Sequence, residues 1–144
     1  MKIELVYHGV IRSKKNSKQI VRDKSGVPRI ISNANARAME QEMIQQFRAQ
    51  LIDKGLGDLV WNSQTANILE AKEAGWTYTV DATIYNPDRI RRDLDNQITS
   101  LLDGLVRAGA LPDDCSSIVT KISAEFGGLD RKDPRAEITV ESSD

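Results

Sequence analysis

The chain has 144 residues, of which 40% are apolar and 28% are charged, and its formal net charge is −1. This composition excludes a disordered tail and a membrane-embedded protein, and it suits a single domain over residues 1–144 with a core of its own. One cysteine excludes both a disulfide framework and a cysteine-rich zinc site. Charges interrupt the N-terminal MKIELVYHG, so we predict no signal peptide, no membrane association and a cytoplasmic location.

The first half of the chain predicts three strands and a helix. Residues 2–10 alternate apolar and polar side chains, which is typical of a strand, and residues 19–32 flank the turn-forming KSGV as a hairpin. An apolar residue then recurs at every fourth position, which predicts a long helix that Ser32 or Asn33 caps and Gly55 ends. The four apolar residues are Met39, Met43, Phe47 and Leu51.

The second half of the chain predicts the order strand, helix, strand, strand. Residues 56–75 are ambiguous, with a short helix at 65–73 as one reading, whereas the alternation over 76–86 indicates a strand. A helical apolar stripe follows Asp93 and ends at Gly109, and residues 117–126 and 135–142 alternate as the last two strands. The order βββαβαββ predicts the α/β (α+β) class, as a mixed β-sheet with helices packed mainly on one face.

Positive charge is concentrated in two stretches of this nearly neutral chain. Residues 12–29, RSKKNSKQIVRDKSGVPR, contain seven lysines and arginines against one aspartate. Residues 89–92 add three arginines in the sequence RIRR. The distribution of charge therefore predicts a local basic face that the net charge conceals.

Acidic residues follow the second basic stretch directly. Asp93 and Asp95 occupy the first turn of the second predicted helix, where an aspartate can cap backbone N–H groups and favour the helix dipole. A cap explains one carboxylate, but not two at positions i and i+2 beside three arginines. A capped surface helix and a site that holds a cation and a phosphate together both remain possible.

A second acidic pair, Asp113 and Asp114, lies between that helix and the next strand. The two ends of the helix are about 20 Å apart, although an extended LPDD segment could cover about 15 Å by folding back. Periodicity therefore neither establishes nor excludes one shared cluster. If the carboxylates meet, their oxygens suit Mg²⁺ or Mn²⁺, and the neighbouring arginines suit phosphates.

Residues 91–119 carry a resemblance to a known family. The sequence RRDLDN, a helix containing LLDGL, and AGALPDD before a strand resemble the RusA-type Holliday junction resolvases, or crossover junction endodeoxyribonucleases, many of which are phage-encoded. The N-terminal SKKNSK is similar to the asparagine-containing basic loop of that family. The pair DLDN and DD at this separation is fairly specific, whereas either motif alone would be weak.

The resemblance implies a homodimeric, Mg²⁺-dependent endonuclease that resolves four-way DNA junctions by paired symmetric nicks, in recombination and repair. Because many members are phage-encoded, it also implies a prophage as a source. Mn²⁺ is expected to substitute for Mg²⁺. The implied catalytic and metal-binding residues are Asp93, Asp95 and Asp114, with Asp113 as an assisting ligand. The implied DNA-binding residues are Lys14, Lys15, Asn16, Lys18, Arg91 and Arg92.

One departure from the family concerns a lysine that commonly follows the second aspartate of DLD by one helical turn. Thr99 stands at that position and carries no charge. Lys121, on the next strand, is a candidate replacement as a stabiliser of the phosphate or the leaving group. A junction-binding protein that does not cleave therefore stays open as a second function. A third function, independent of Thr99, is a protein-interaction domain whose acidic residues only cap the helix and keep the loop solvated.

Overall fold

The computed structural model describes residues 1–13, 18–32, 34–57 and 70–143. Its strands and helices follow the predicted order, and residues 70–74 are helical in addition. The elements are β1 (Lys2–His8), β2 (Lys18–Arg22), β3 (Pro28–Ser32), α1 (Ala34–Asp53), β4 (Tyr78–Asn86), α2 (Leu94–Ala108), β5 (Val119–Leu129) and β6 (Arg135–Ser142).

A four-stranded mixed sheet in the order β1–β6–β4–β5 forms the centre of the fold. β6 pairs antiparallel with both β1 and β4, whereas β4 and β5 are parallel and are joined through α2. A parallel pair needs such a crossover, because the chain must return to the same end of the sheet. The hairpin of β2 and β3 forms a separate two-stranded sheet.

Alternating side chains give the main sheet one apolar and one polar face. In β4 the side chains of Val80, Ala82 and Ile84 are buried, whereas Asp81 between them is exposed. The apolar face packs against both helices in one hydrophobic cluster, and α1 also contacts β1. The structure thus confirms a mixed α/β sheet, with the helices on its apolar face.

The two helices approach each other closely at a glycine. Gly104 in α2 lies so near α1 that an added Cβ atom would be 2.9 Å from the Sδ atom of Met43. Phe47, one turn further along α1, is fully buried, and its ring meets that of Tyr7 edge-on at a centroid distance of 6.4 Å. This contact fixes α2 against α1, and α2 also contacts β5. The exposed side of α2 carries the candidate site.

Several predicted element ends differ from the structure by a few residues. The strand predicted at 76–86 begins at Tyr78, and that predicted at 117–126 runs over Val119–Leu129. The predicted helix end at Gly109 is confirmed, since Gly109 is left-handed with φ 83° and its N–H reaches the last turn. Of the proposed short helix at 65–73, residues 70–73 are helical and 65–69 lie outside the described residues.

Candidate nucleic-acid and metal site

The start of α2 carries the two aspartates of the DLDN sequence. Asp93 is at the N-cap position, with extended backbone angles of φ −78° and ψ 127°. Within the described residues, its carboxylate makes no capping hydrogen bond and instead accepts one from Arg91 Nε at 3.3 Å. The cap interpretation therefore does not account for the Asp93 side chain, which stays half exposed beside a solvent-facing arginine.

The loop before α2 is braced by a second ion pair. Arg92 Nη1 donates to Asp88 Oδ1 at 2.7 Å, and the Arg92 side chain is only 15% exposed. The hydrogen bond from Arg92, followed by one from the Ile90 N–H, lowers the pKa of Asp88. Arg91, with a side chain 90% exposed, is therefore better placed than Arg92 to meet a phosphate.

Asp95 and Thr99 lie one turn apart on α2, and both are exposed. The Asp95 carboxylate accepts a hydrogen bond from the Asn96 N–H at 2.9 Å. Thr99 Oγ1 donates to the main-chain oxygen of Asp95 at 2.8 Å. The hydroxyl is thus turned towards its own helix, and the position at which the family commonly has a lysine supplies no positive charge.

Two buried polar residues of α2 hold the chain that leads into the basic loop. Gln97 is 1% exposed, and its amide nitrogen donates to the Ile11 carbonyl at 3.1 Å and to Asn86 Oδ1 at 2.8 Å. Ser100 Oγ donates to the Arg12 carbonyl at 2.7 Å. These bonds fix residues 11 and 12 against α2 within two turns of Asp95.

Sequence reasoning did not identify this link. Its signal in the sequence is the pair of polar residues, Gln97 and Ser100, beside the apolar positions Ile98 and Leu101. Lys14, Lys15 and Asn16 lie outside the described residues, and Lys18 is the first residue of β2. The structure therefore places the beginning of the basic loop at α2, and the DNA contacts assigned to the loop stay predictions.

Asp113 and Asp114 form a second acidic group in the loop that follows α2. Burial raises the pKa of Asp114, and the carboxylates of Asp113 and Asp103 raise it further. Asp103 was not singled out from the sequence, although it is part of the LLDGL motif. The Asp114 carboxylate is therefore within electrostatic range of Asp103. Asp103 lies eight residues, or about 12 Å along the helix axis, beyond Asp95.

The described residues do not show one complete metal cluster. Among them, no group of three or more histidine, cysteine, aspartate or glutamate side chains is arranged to hold a metal ion. The donor chemistry still fits a hard cation, since Mg²⁺ often takes one or two carboxylates and completes its shell with water and phosphate oxygens. The metal set of Asp93, Asp95, Asp114 and Asp113 stays a prediction.

Lys121 lies on the sheet face that is turned away from α2. The β4–β5 register pairs Lys121 with Thr79, whereas Ile122 pairs with the buried Val80. Paired residues of neighbouring strands point to the same face of a sheet. Lys121 is exposed on the polar face, so the structure does not bring it to the start of α2.

No protein-family model matches the chain, and no curated protein sequence is significantly similar to it. The resemblance over residues 91–119 therefore rests on the sequence motifs alone. Within the described parts of the chain, no helix is both long and apolar enough to cross a membrane.

Asp114→Asn should raise the melting temperature at pH 7 by about 1–3 °C, the size expected when an exposed repulsion between like charges is removed. The folded pKa of Asp114 is raised, so ionisation of this group costs the native state stability above that pKa. This cost in stability disappears below the unfolded pKa, because Asp114 is then protonated in both the folded and the unfolded state. The rise in melting temperature should therefore vanish near pH 3. Thermal unfolding at both pH values tests this.

Glu73→Gln is the matched control for this measurement, since Glu73 is an exposed carboxylate that is not among the groups that raise the pKa of Asp114. Equal shifts for the two variants at pH 7, or a gain for Asp114→Asn that persists at pH 3, would contradict the prediction.

Proposed function

We propose that this chain is an Mg²⁺-dependent, structure-selective DNA endonuclease that resolves four-way junctions by paired symmetric nicks. The observation that carries the proposal is the buried link from Gln97 and Ser100 to the start of the basic loop. It supports a surface on which cations of that loop stand beside the exposed carboxylates of Asp93 and Asp95. Metal-assisted cleavage of a phosphodiester needs both kinds of group together.

The residues at the start of α2 have separate roles in this proposal. Asp93 and Asp95 hold the metal, with Asp114 and the assisting Asp113 contributed by the segment after the helix. The metal, when bound, activates water and offsets the charge that develops on the phosphate. Arg91 and the basic loop bind the flanking phosphates by charge-assisted hydrogen bonds and so orient the scissile bond.

A homodimer and a cytoplasmic location are part of the same proposal. A protein with two-fold symmetry presents two equivalent sites to a junction that has approximate two-fold symmetry of its own. Paired nicks in strands of like polarity then follow from one binding event. The specificity for a junction over a linear duplex would come from this spacing of the two sites and not from base recognition.

Thr99 favours a second candidate, a junction-binding protein that does not cleave. Its hydroxyl donates to the Asp95 carbonyl, so position 99 supplies no positive charge. A cation there would stabilise the developing charge on the leaving oxygen. Binding could then persist without chemistry, because the phosphate contacts and the metal ligands are separate from this position.

The test uses a synthetic immobile four-way junction with each strand end-labelled in turn, and a linear duplex of the same sequence. The protein is incubated with Mg²⁺, with Mn²⁺ or with EDTA. We expect symmetric nicks at the junction in either metal, none in EDTA and none in the duplex. Junction binding without nicks would favour the second candidate, with Thr99→Lys as its next test, and neither binding nor nicking would reject both.

A further inference from the structure

The outer edge of β5 is an apolar surface without a partner among the described strands. β5 runs for 11 residues and is the last strand of the main sheet, hydrogen-bonded to β4 on one side. Three of its large apolar side chains are about half exposed: Ile122 at 44%, Phe126 at 51% and Leu129 at 49%. Long, apolar edge strands are a liability for a monomer, because they pair readily with another strand.

These side chains lie on the face that the helices cover elsewhere. The register pairs Ile122 with Val80 and Phe126 with Ile84, both of which are fully buried. Ala124, between them, is already partly packed on the core. α2 contacts β5, but it covers the strand only in part, because Ile122 and Phe126 stay about half exposed on this face.

The opposite face of β5 has a self-complementary charge pattern. Lys121 and Glu125 are both exposed there, four residues apart, with Ser123 between them. A second β5 laid antiparallel against the first would bring lysine near glutamate at two symmetric places. Val119–Leu129 contains no proline, and its register with β4 is regular from Lys121 to Phe126. A charged residue such as Lys121 usually discourages edge pairing, but here each lysine would lie near a glutamate of the second copy.

We propose that a second copy of this chain pairs antiparallel along β5, with the two-fold axis at Ala124. In this register Ile122 lies opposite the partner's Phe126, and the two apolar strips form one continuous surface. Lys121 then lies diagonal to the partner's Glu125, at about 7–8 Å between backbones, which long side chains span. The two four-stranded sheets would join into one of eight strands.

A register centred on Ser123 is the nearest alternative. It places Lys121 directly opposite the partner's Glu125 but leaves Phe126 opposite Thr120. Exposed ion pairs contribute little, whereas burial of two large apolar side chains in each copy removes much more surface from water. The Ala124 register is therefore the favoured one.

This dimer surface rests on the homodimer of the proposed function, but its test measures dimer formation and not DNA cleavage. Sedimentation of the protein alone should give a dimer, and Phe126→Lys and Ile122→Lys should each raise the dimer dissociation constant at least tenfold. Ile52→Lys is the control, because Ile52 is 65% exposed on α1, away from this edge. A monomeric wild type, or variants that dimerise as tightly as Ile52→Lys, would overturn the proposal.

A crosslinking experiment keeps the register testable if the lysine variants fail to fold. Ala124→Cys in a Cys115→Ser background should form a covalent dimer on mild oxidation, because residues on the two-fold axis face each other at about 5 Å. Ile52→Cys in the same background should stay monomeric. Crosslinking through Ser123→Cys but not through Ala124→Cys would overturn the Ala124 register. These results do not depend on nuclease activity, so a protein that fails to nick junctions could still confirm the dimer.

Discussion

Asp95→Asn should lower the rate of junction nicking by about 10²–10³-fold, since loss of a metal carboxylate removes several kcal/mol of transition-state stabilisation. Asp95 is exposed at the start of α2, and its carboxylate bonds the Asn96 N–H, so the isosteric amide should leave the fold unchanged. Junction affinity should stay the same or rise slightly, because one negative charge near the phosphates is removed. Single-turnover nicking and a binding titration measure the two effects separately.

Asp88→Asn is the matched control for this substitution. Asp88 precedes α2 by a few residues and pairs with Arg92 at 2.7 Å, and it is not among the proposed metal ligands. The change removes the same charge from the same surface, so nicking should fall by less than about threefold. An equal loss in both variants would show that charge at this surface, and not a ligand at Asp95, governs the rate.

Gln97→Leu should lower the free energy of unfolding by about 2–4 kcal/mol and should also weaken DNA binding. The stability loss follows because the Ile11 carbonyl and the Asn86 side-chain oxygen lose their donor inside the protein, at about 1–3 kcal/mol for each unsatisfied group. The binding loss follows because residues 11 and 12 lead into the basic loop. Urea unfolding and a junction titration at low salt test both parts.

Gln50→Leu provides the matched comparison on α1. Its amide bonds both the N–H and the carbonyl of Val6 in β1, at 2.8 and 2.6 Å, so it is also a glutamine that holds a strand to a helix. It should cost comparable stability and leave the affinity of the folded protein for DNA unchanged. If both variants bind the junction as tightly as wild type when folded, the Gln97 link does not position the basic loop.

Part of the candidate site could be predicted from the sequence, because its residues are neighbours along the chain. Asp93, Asp95 and Arg91 lie within five residues at one helix end, and the apolar stripe that follows specifies that helix. The same local reasoning suggested a cap for Asp93, and the structure shows the carboxylate on Arg91 instead. Which of two local partners a side chain takes depends on backbone angles that residue type alone does not set.

The sequence by itself determined the helices and strands and their order, because apolar periodicity and glycine at a helix end act within a few residues. Only the tertiary structure decided the strand order β1–β6–β4–β5, which pairs the first strand with the last. It also decided that Gln97 meets Ile11, 86 residues away, and that the charges of Asp114 and Asp103 interact. Such contacts form when helices pack on the sheet and buried polar groups find hydrogen-bond partners there. The residue pattern of one segment does not show which distant segment will supply the partner.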